Sequence, residues 1–197
     1  MTVLHLTPHE AAVVTKTVLK AAGKAGTAPF DQVLLTVRSG AVWALATDRY
    51  RICRTRIRST SVEPYDLYTP AAWWRVVDRM YRTCEVSVME SAATRSISAY
   101  GRSRSAGIGW VGFSAILENK VEPLPASVWE ACDRAVRQHP DGAVIGIGDS
   151  AMPPAAMFSG RVTATFVSHP GHEPFAYVSE TDGGLRTEWI GMPRRQR

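Results

Sequence analysis

The chain has 197 residues, 45% hydrophobic and 21% charged, with a formal charge of +5, an ordinary globular composition long enough to bury a core. No apolar run approaches the roughly 20 residues that a membrane-spanning helix needs, and the start, MTVLHLTPHE, has neither the basic opening nor the apolar stretch of a signal peptide. Cys53, Cys84 and Cys132 are far apart with no Cys-x-x-Cys pair, which argues against a disulfide framework or a zinc site and for a cytoplasmic protein with reduced, mostly buried thiols.

The first strand is expected over 2–6. Thr7 then serves as the N-cap of a helix, Pro8 takes the first helical position and Glu10 completes a Thr-x-x-Glu capping box. At about 100° per residue, Ala11, Val14, Val18, Leu19 and Ala22 share one face, while His9, Lys16, Lys20 and Lys24 gather on the other; Gly23 and Gly26 end the helix. Residues 33–58 read as a three-strand meander. Val33, Leu35 and Val37 alternate with Leu34, Thr36 and Arg38, Ser39-Gly40 makes a turn, 42–46 runs back, and Asp48-Arg49 turns into a strand over 50–58.

After a short strand over 65–68, Thr69-Pro70, again an N-cap followed by Pro, opens a second helix that runs to about Thr83. Its apolar side is Trp73, Val76, Val77, Met80, Tyr81 and Cys84, with Arg75, Arg79 and Arg82 opposite. Strands follow over 85–89, 95–100 and 106–111, and 114–124 is a connector. A third unit has a helix over 126–138, whose Arg134 and Arg137 are offset by Glu130 and Asp133, and strands over 143–148, 155–158, 161–168, 175–179 and 185–192. Trp73, Trp74, Trp110, Trp129 and Trp189 fall at expected core positions.

Two helices, each introduced by Thr-Pro, each basic on the outside and each followed by strands, look like an internal duplication. The layout is units over 1–60, 61–113 and 121–192, grouped as a first domain over 1–117 and a smaller second domain over 118–197. Charge is uneven across it: nine Lys/Arg against three Asp/Glu in 1–60, seven against six in 61–120, and seven against nine in 121–197, or +6, +1 and −2. A basic first third suits an anionic partner, nucleic acid first; a solvated basic surface is the plain alternative.

Ala46-Thr47-Asp48-Arg49-Tyr50-Arg51-Ile52 closely resembles the Thr-Asp-Gly-aromatic/His-Arg-Leu turn of bacterial DNA polymerase sliding clamps, the DNA polymerase III beta (processivity clamp) family, with Arg49 where that turn carries Gly. The tail adds a second match. Pro174-Phe175-Ala176-Tyr177-Val178, an acidic turn over 180–182, and Trp189-Ile190-Gly191-Met192-Pro193-Arg194-Arg195 resemble the clamp C-terminus. The resemblance implies an α+β fold of repeated helix-plus-meander units, with sheets outside and helices on the inner face of a ring around duplex DNA. It implies sequence-nonspecific phosphate contacts from Lys16, Lys20, Lys24, Arg75, Arg79 and Arg82. It also implies a pocket for short linear motifs of DNA polymerase and other replication proteins, formed by Thr47, Arg49, Tyr50, Arg51 and Ile52 with Ile190, Met192, Pro193 and Arg194.

A bacterial clamp chain has three domains and closes as a dimer, so this shorter chain would need a larger homo-oligomer. Three chains close a ring if both domains are complete, and four if the second is a half domain, because twelve units at three per chain make four. The alternative is a clamp-like adaptor or decoy that never closes a ring, or a basic DNA-binding accessory protein. An enzyme is the weakest reading. Gly148-Asp149-Ser150 lacks an oxyanion loop and a following Asp-x-x-His, His169-Pro170-Gly171-His172-Glu173 reads as a turn rather than a metal site, and there is no phosphate-binding loop or dinucleotide fingerprint.

Overall fold

Strand β1 (Thr2–Leu6) leads into helix α1 (Pro8–Lys16). The Thr7 hydroxyl accepts the Glu10 N–H at 3.4 Å, and the Glu10 carboxylate accepts the Thr7 N–H at 2.8 Å, closing the capping box. The helix ends earlier than expected. The Thr15 and Thr17 hydroxyls donate back to the Ala12 and Val13 carbonyls, at 3.1 and 2.6 Å, the local competition that weakens a helix interior, and the chain tightens into a 3₁₀ turn, Val18–Ala21. All five predicted apolar positions, Ala11, Val14, Val18, Leu19 and Ala22, are buried.

The meander forms as β2 (Gln32–Arg38), β3 (Ala41–Thr47) and β4 (Arg51–Ser59). Ser39 and Gly40 have φ of 50° and 69°, the paired positive values of a type I′ hairpin turn. Strand β5 (Tyr65–Pro70) runs directly into α2 (Ala71–Met80). Thr69 is therefore not a cap: its hydroxyl donates to the Val33 carbonyl and accepts the indole N–H of Trp74, both at 2.8 Å. Helix α2 stops at Met80 rather than near Thr83, because Tyr81, Cys84, Val86 and Val88 bury one side of a strand, β6 (Tyr81–Glu90), against β7 (Arg95–Ser103). Arg82 thus lies on a strand. Strand β8 (Trp110–Leu117) begins later than expected, since the Ser103 N–H donates to the Gly109 carbonyl at 3.1 Å and the chain between them turns. Trp110 at its start is 63% exposed, so it is not a core residue; Trp73, Trp74 and Trp189 are buried.

This computed structural model describes residues 2–90, 94–117, 121–137, 162–167, 175–181 and 185–191. The expected strands over 143–148 and 155–158, Gly148-Asp149-Ser150, the turn at His169 and the residues Met192, Pro193 and Arg194 lie outside them. The third unit contributes α3 (Ala126–Arg137), β9 (Val162–Val167), β10 (Phe175–Thr181) and β11 (Arg186–Gly191).

Among the described residues there are two open sheets, ordered β1-β6-β7-β8 and β5-β2-β3-β4-β11-β10-β9, with every pairing antiparallel. The two halves of the duplication exchange their first strands: β1 joins β6, and β5 joins β2. Neither half can complete its sheet without the other. One face of the seven-stranded sheet (Val33, Leu35, Val37, Val42, Ala44, Ala46, Cys53) packs with Leu6, Val14, Val18, Trp74, Val77, Val86 and Ile97 in the core under α1 and α2. The alternate residues Leu34, Leu45, Ile52 and Ile190 point the other way and pack with Leu124, Cys132 and Ala135 under α3. Helix α3 therefore covers the opposite face of the sheet from α1 and α2, which is why β2 and β3 are buried almost without interruption.

The Glu10 carboxylate also receives the Arg58 guanidinium, at 2.5 Å to each oxygen. Burial pushes its pKa up, but Arg58 and the Thr7 N–H outweigh burial and hold it below the ordinary glutamate value. The resulting stabilisation is present above the unfolded value and is lost as pH falls through the depressed folded one. Melting temperature measured against pH should fall below about pH 4.5 less steeply for Glu10→Gln than for the parent; parallel curves would contradict the assignment.

Candidate functional site

The Thr47–Ile52 turn is built by its own side chains. The Thr47 hydroxyl accepts the Arg49 N–H at 3.1 Å, and the Asp48 carboxylate accepts the N–H groups of Tyr50 and Arg51 at 3.0 and 2.9 Å and the Arg51 guanidinium at 2.5 and 2.9 Å. Arg49 sits at φ 79°, a left-handed conformation that Gly adopts freely and Arg does not. The Arg49 guanidinium lies over the Phe30 ring, 4.6 Å from its centroid.

The turn and strand β11 come together. Strand β11 pairs with β4 so that Ile190 stands opposite Ile52, Gly191 opposite Arg51 and Trp189 opposite Cys53, while Ile52 is also opposite Thr47 of β3. Thr47, Ile52 and Ile190 are buried. Arg51 is half-buried, and Arg49 and Tyr50 are exposed at the turn.

The pairing is locked by a group that the sequence reading left out. Arg54 on β4 is buried and bonded to the buried Glu188 of β11 and, at 2.7 Å, to Asp133 of α3. Its guanidinium lies 5.3 Å from the Trp43 ring and 5.0 Å from the Trp129 ring. Burial works against its charge, but the two carboxylates outweigh it and hold its pKa above the ordinary arginine value. The neighbouring thiols are inert: burial raises Cys53 and pushes Cys132 up to about 12.

Beside this lock, on the same side of the sheet, lies a cavity of about 240 Å³. Leu34, Leu45, Leu124 and Trp129 supply apolar wall, and Tyr68 and the Arg38–Asp66 pair, at 3.0 Å, supply a polar rim. Leu34, Leu45 and Leu124 belong to the apolar cluster that contains Ile52 and Ile190, so the cavity is an opening into that cluster.

The predicted cations lie on the other side of the sheet, where α1 and α2 run side by side. Asp78 of α2 receives Lys16 at 2.5 Å and Lys20 at 3.8 Å, although both lysine side chains remain nearly half exposed. Lys24 is exposed in the loop after the 3₁₀ turn, Arg79 on α2 and Arg82 on β6. Arg75 is turned to a structural task, donating to the Ala22 and Gly23 carbonyls at 3.3 and 2.6 Å. Arg104, absent from the sequence reading, borders the same surface and donates to the Asp78 carbonyl at 3.1 Å.

No protein-family model and no curated protein sequence matches the chain. Its fold is similar to the DNA polymerase sliding clamp of Bacillus subtilis, at 12% identity over all of this chain and 65% of that one, with a TM-score of 0.56. It is similar to the Pseudomonas aeruginosa sliding clamp solved with a ligand, at 13% identity, 100% and 67% coverage and a TM-score of 0.54. The Borrelia burgdorferi DNA polymerase III subunit beta, in complex with a natural product, matches at 10% identity, 98% and 64% coverage and a TM-score of 0.52. The chain spans about two thirds of the length of these structures. The fold is α+β and clamp-like.

Arg54→Ala would leave Glu188 and Asp133 without their shared cation, and denaturant unfolding should show a loss of about 3–5 kcal/mol. Arg38→Ala, which breaks an exposed pair, should cost under about 1 kcal/mol. Equal losses would show that the buried cluster does not hold β4, β11 and α3 together.

Proposed function

We propose that the chain is a clamp-type, non-enzymatic processivity factor. It holds duplex DNA, without reading sequence, against the surface formed by α1, the 3₁₀ turn and α2, and it tethers a replicative polymerase and other replication proteins through a peptide groove on the opposite side of the seven-stranded sheet. It works in the cytoplasm as a homo-oligomer that closes around the DNA, and its first domain, 1–117, forms the frame to which the smaller 118–197 unit is attached. One observation carries this reading: the clamp-like duplication sets two helices side by side with Lys16, Lys20, Lys24 and Arg79 reaching solvent on one surface. Lysine and arginine tips that meet phosphates through screened contacts permit sliding, because no base edge is engaged.

In this account Thr47, Ile52 and Ile190 form the floor of the peptide site rather than its open mouth, and the cavity bordered by Tyr68, Leu124 and Trp129 receives the apolar anchor of an extended peptide. Arg49, Tyr50 and Arg51, with Met192, Pro193 and Arg194, are proposed to complete its rim. A second reading, a clamp-like adaptor or decoy that never closes a ring, is favoured by the partial neutralisation of Lys16 and Lys20 by Asp78.

Two measurements test the two surfaces separately. In fluorescence anisotropy with a duplex oligonucleotide, the triple variant K20A/K24A/R79A should lower the slope of log affinity against log salt by about 2–3, and Asp78→Asn should raise affinity; unchanged slopes would remove DNA from this surface. A labelled extended peptide carrying Leu and Phe anchors should bind the parent and lose about tenfold in affinity, or about 1.4 kcal/mol, in Tyr68→Ala without a change in DNA binding. A peptide indifferent to Tyr68 would place the groove elsewhere.

A further inference from the structure

The sheet β1-β6-β7-β8 turns one face to the core under α1 and α2, through Val86, Val88, Ile97 and Ala99. The alternate residues face away from that core. At the end of the sheet nearest α2 they stand in two rows across β6, β7 and β8: Thr83, Arg102 and Trp110, then Glu85, Tyr100 and Gly112. Because Gly112 has no side chain, the Tyr100 ring beside it reaches diagonally to Trp110. The two rings stack at 5.5 Å between centroids and 28° between planes, yet Tyr100 stays 57% exposed and Trp110 bares still more of its surface.

We propose that this open sheet face binds single-stranded nucleic acid, with bases stacked on Trp110 and Tyr100 and the flanking phosphates held by Arg102, Arg82 and Arg104. An antiparallel sheet with helices behind it and aromatic rings on adjacent strands of its open face can stack splayed-out bases. Arg102 stands directly opposite Trp110. Arg82 is the extra residue of the bulge between Tyr81 and Thr83, and Arg104 follows β7, its backbone N–H donating to the Met80 carbonyl at 2.7 Å. All three arginines are exposed at the same end of the sheet as the rings.

The chemistry selects this occupant over two others. The bases of a duplex are stacked on one another and present only their edges, so a duplex has no base face to lay on Trp110. An apolar protein surface would need a continuous patch, and here the row Ser87, Ser98 and Ser114 separates the rings from the exposed Met89 and Ile116. One acid borders the platform. Glu85 stands opposite Tyr100 and lies 4.0 Å from the His5 ring, so its charge opposes a phosphate at that end of the row.

The platform is distinct from the proposed duplex surface but adjoins it. Arg104 also donates to the Asp78 carbonyl, and the Asp78 carboxylate receives Lys16 and Lys20, so cations continue from the helices to the rings. A strand parted from a duplex on α1 and α2 would meet the platform at this end. The stacking itself needs no duplex, and it stands or falls apart from that reading.

The test is fluorescence anisotropy of the full chain with labelled oligo-dT and oligo-rU of about 15 nucleotides, beside a duplex of the same length. Trp110→Ala, at an exposed position, should weaken single-strand binding at least tenfold, with the melting temperature unchanged and duplex affinity within twofold of the parent. Arg102→Ala should lower the salt slope for the single strand by about 0.7, and Glu85→Gln should tighten binding. The triple variant K20A/K24A/R79A should spare the single strand more than the duplex. Binding of neither oligonucleotide, binding indifferent to Trp110→Ala, or an equal loss on single strand and duplex would overturn the proposal.

Discussion

One buried guanidinium holds the parts of this molecule in register. Arg54 reaches Glu188 in the last strand and Asp133 in the last helix, with the rings of Trp43 and Trp129 close by. An unpaired cation there would cost several kcal/mol in desolvation, so β11 and α3 must sit where their carboxylates meet it. That constraint sets Ile190 opposite Ile52, brings the tail to the Thr47 turn and lays α3 over the second face of the sheet.

The duplication supplies the other half of the architecture. Because the two halves exchange first strands, α1 and α2 are forced together over one face of the seven-stranded sheet. The sheet thus separates two chemistries. One side carries helices whose outer surfaces are cationic, suited to a polyanion; the other carries an apolar cluster with a polar rim, suited to a peptide anchor. The same strands serve both by simple alternation, Val33 and Leu35 toward one side and Leu34 toward the other.

Much of this was legible in local chemistry. Thr7 and Glu10 announced their capping box, Ser39-Gly40 its turn, and the alternation over 33–37 its strand. Where local signals misled, a tertiary partner had claimed the residue. Thr69 looked like a cap but pairs with β2 and holds the Trp74 indole, and Arg82 looked helical but lies in a strand that needed Tyr81 and Cys84 for the core. Arg54 was invisible because an isolated arginine reads as surface, and its partners lie 79 and 134 positions away. A signal for the third helix's placement was present: Leu34 and Leu45 make β2 and β3 nearly continuous apolar runs, the mark of a strand covered on both faces.

A chain that surrounds duplex DNA, as proposed, differs from one that merely touches it in its dependence on the topology of the DNA. Purified chain should be assembled on a nicked circular duplex, washed at a salt concentration that dissociates screened surface contacts, and assayed for retention before and after the circle is cut. Encirclement gives retention on the circle and release on linearisation. Equal retention on circular and linear DNA, or none on either, would contradict it.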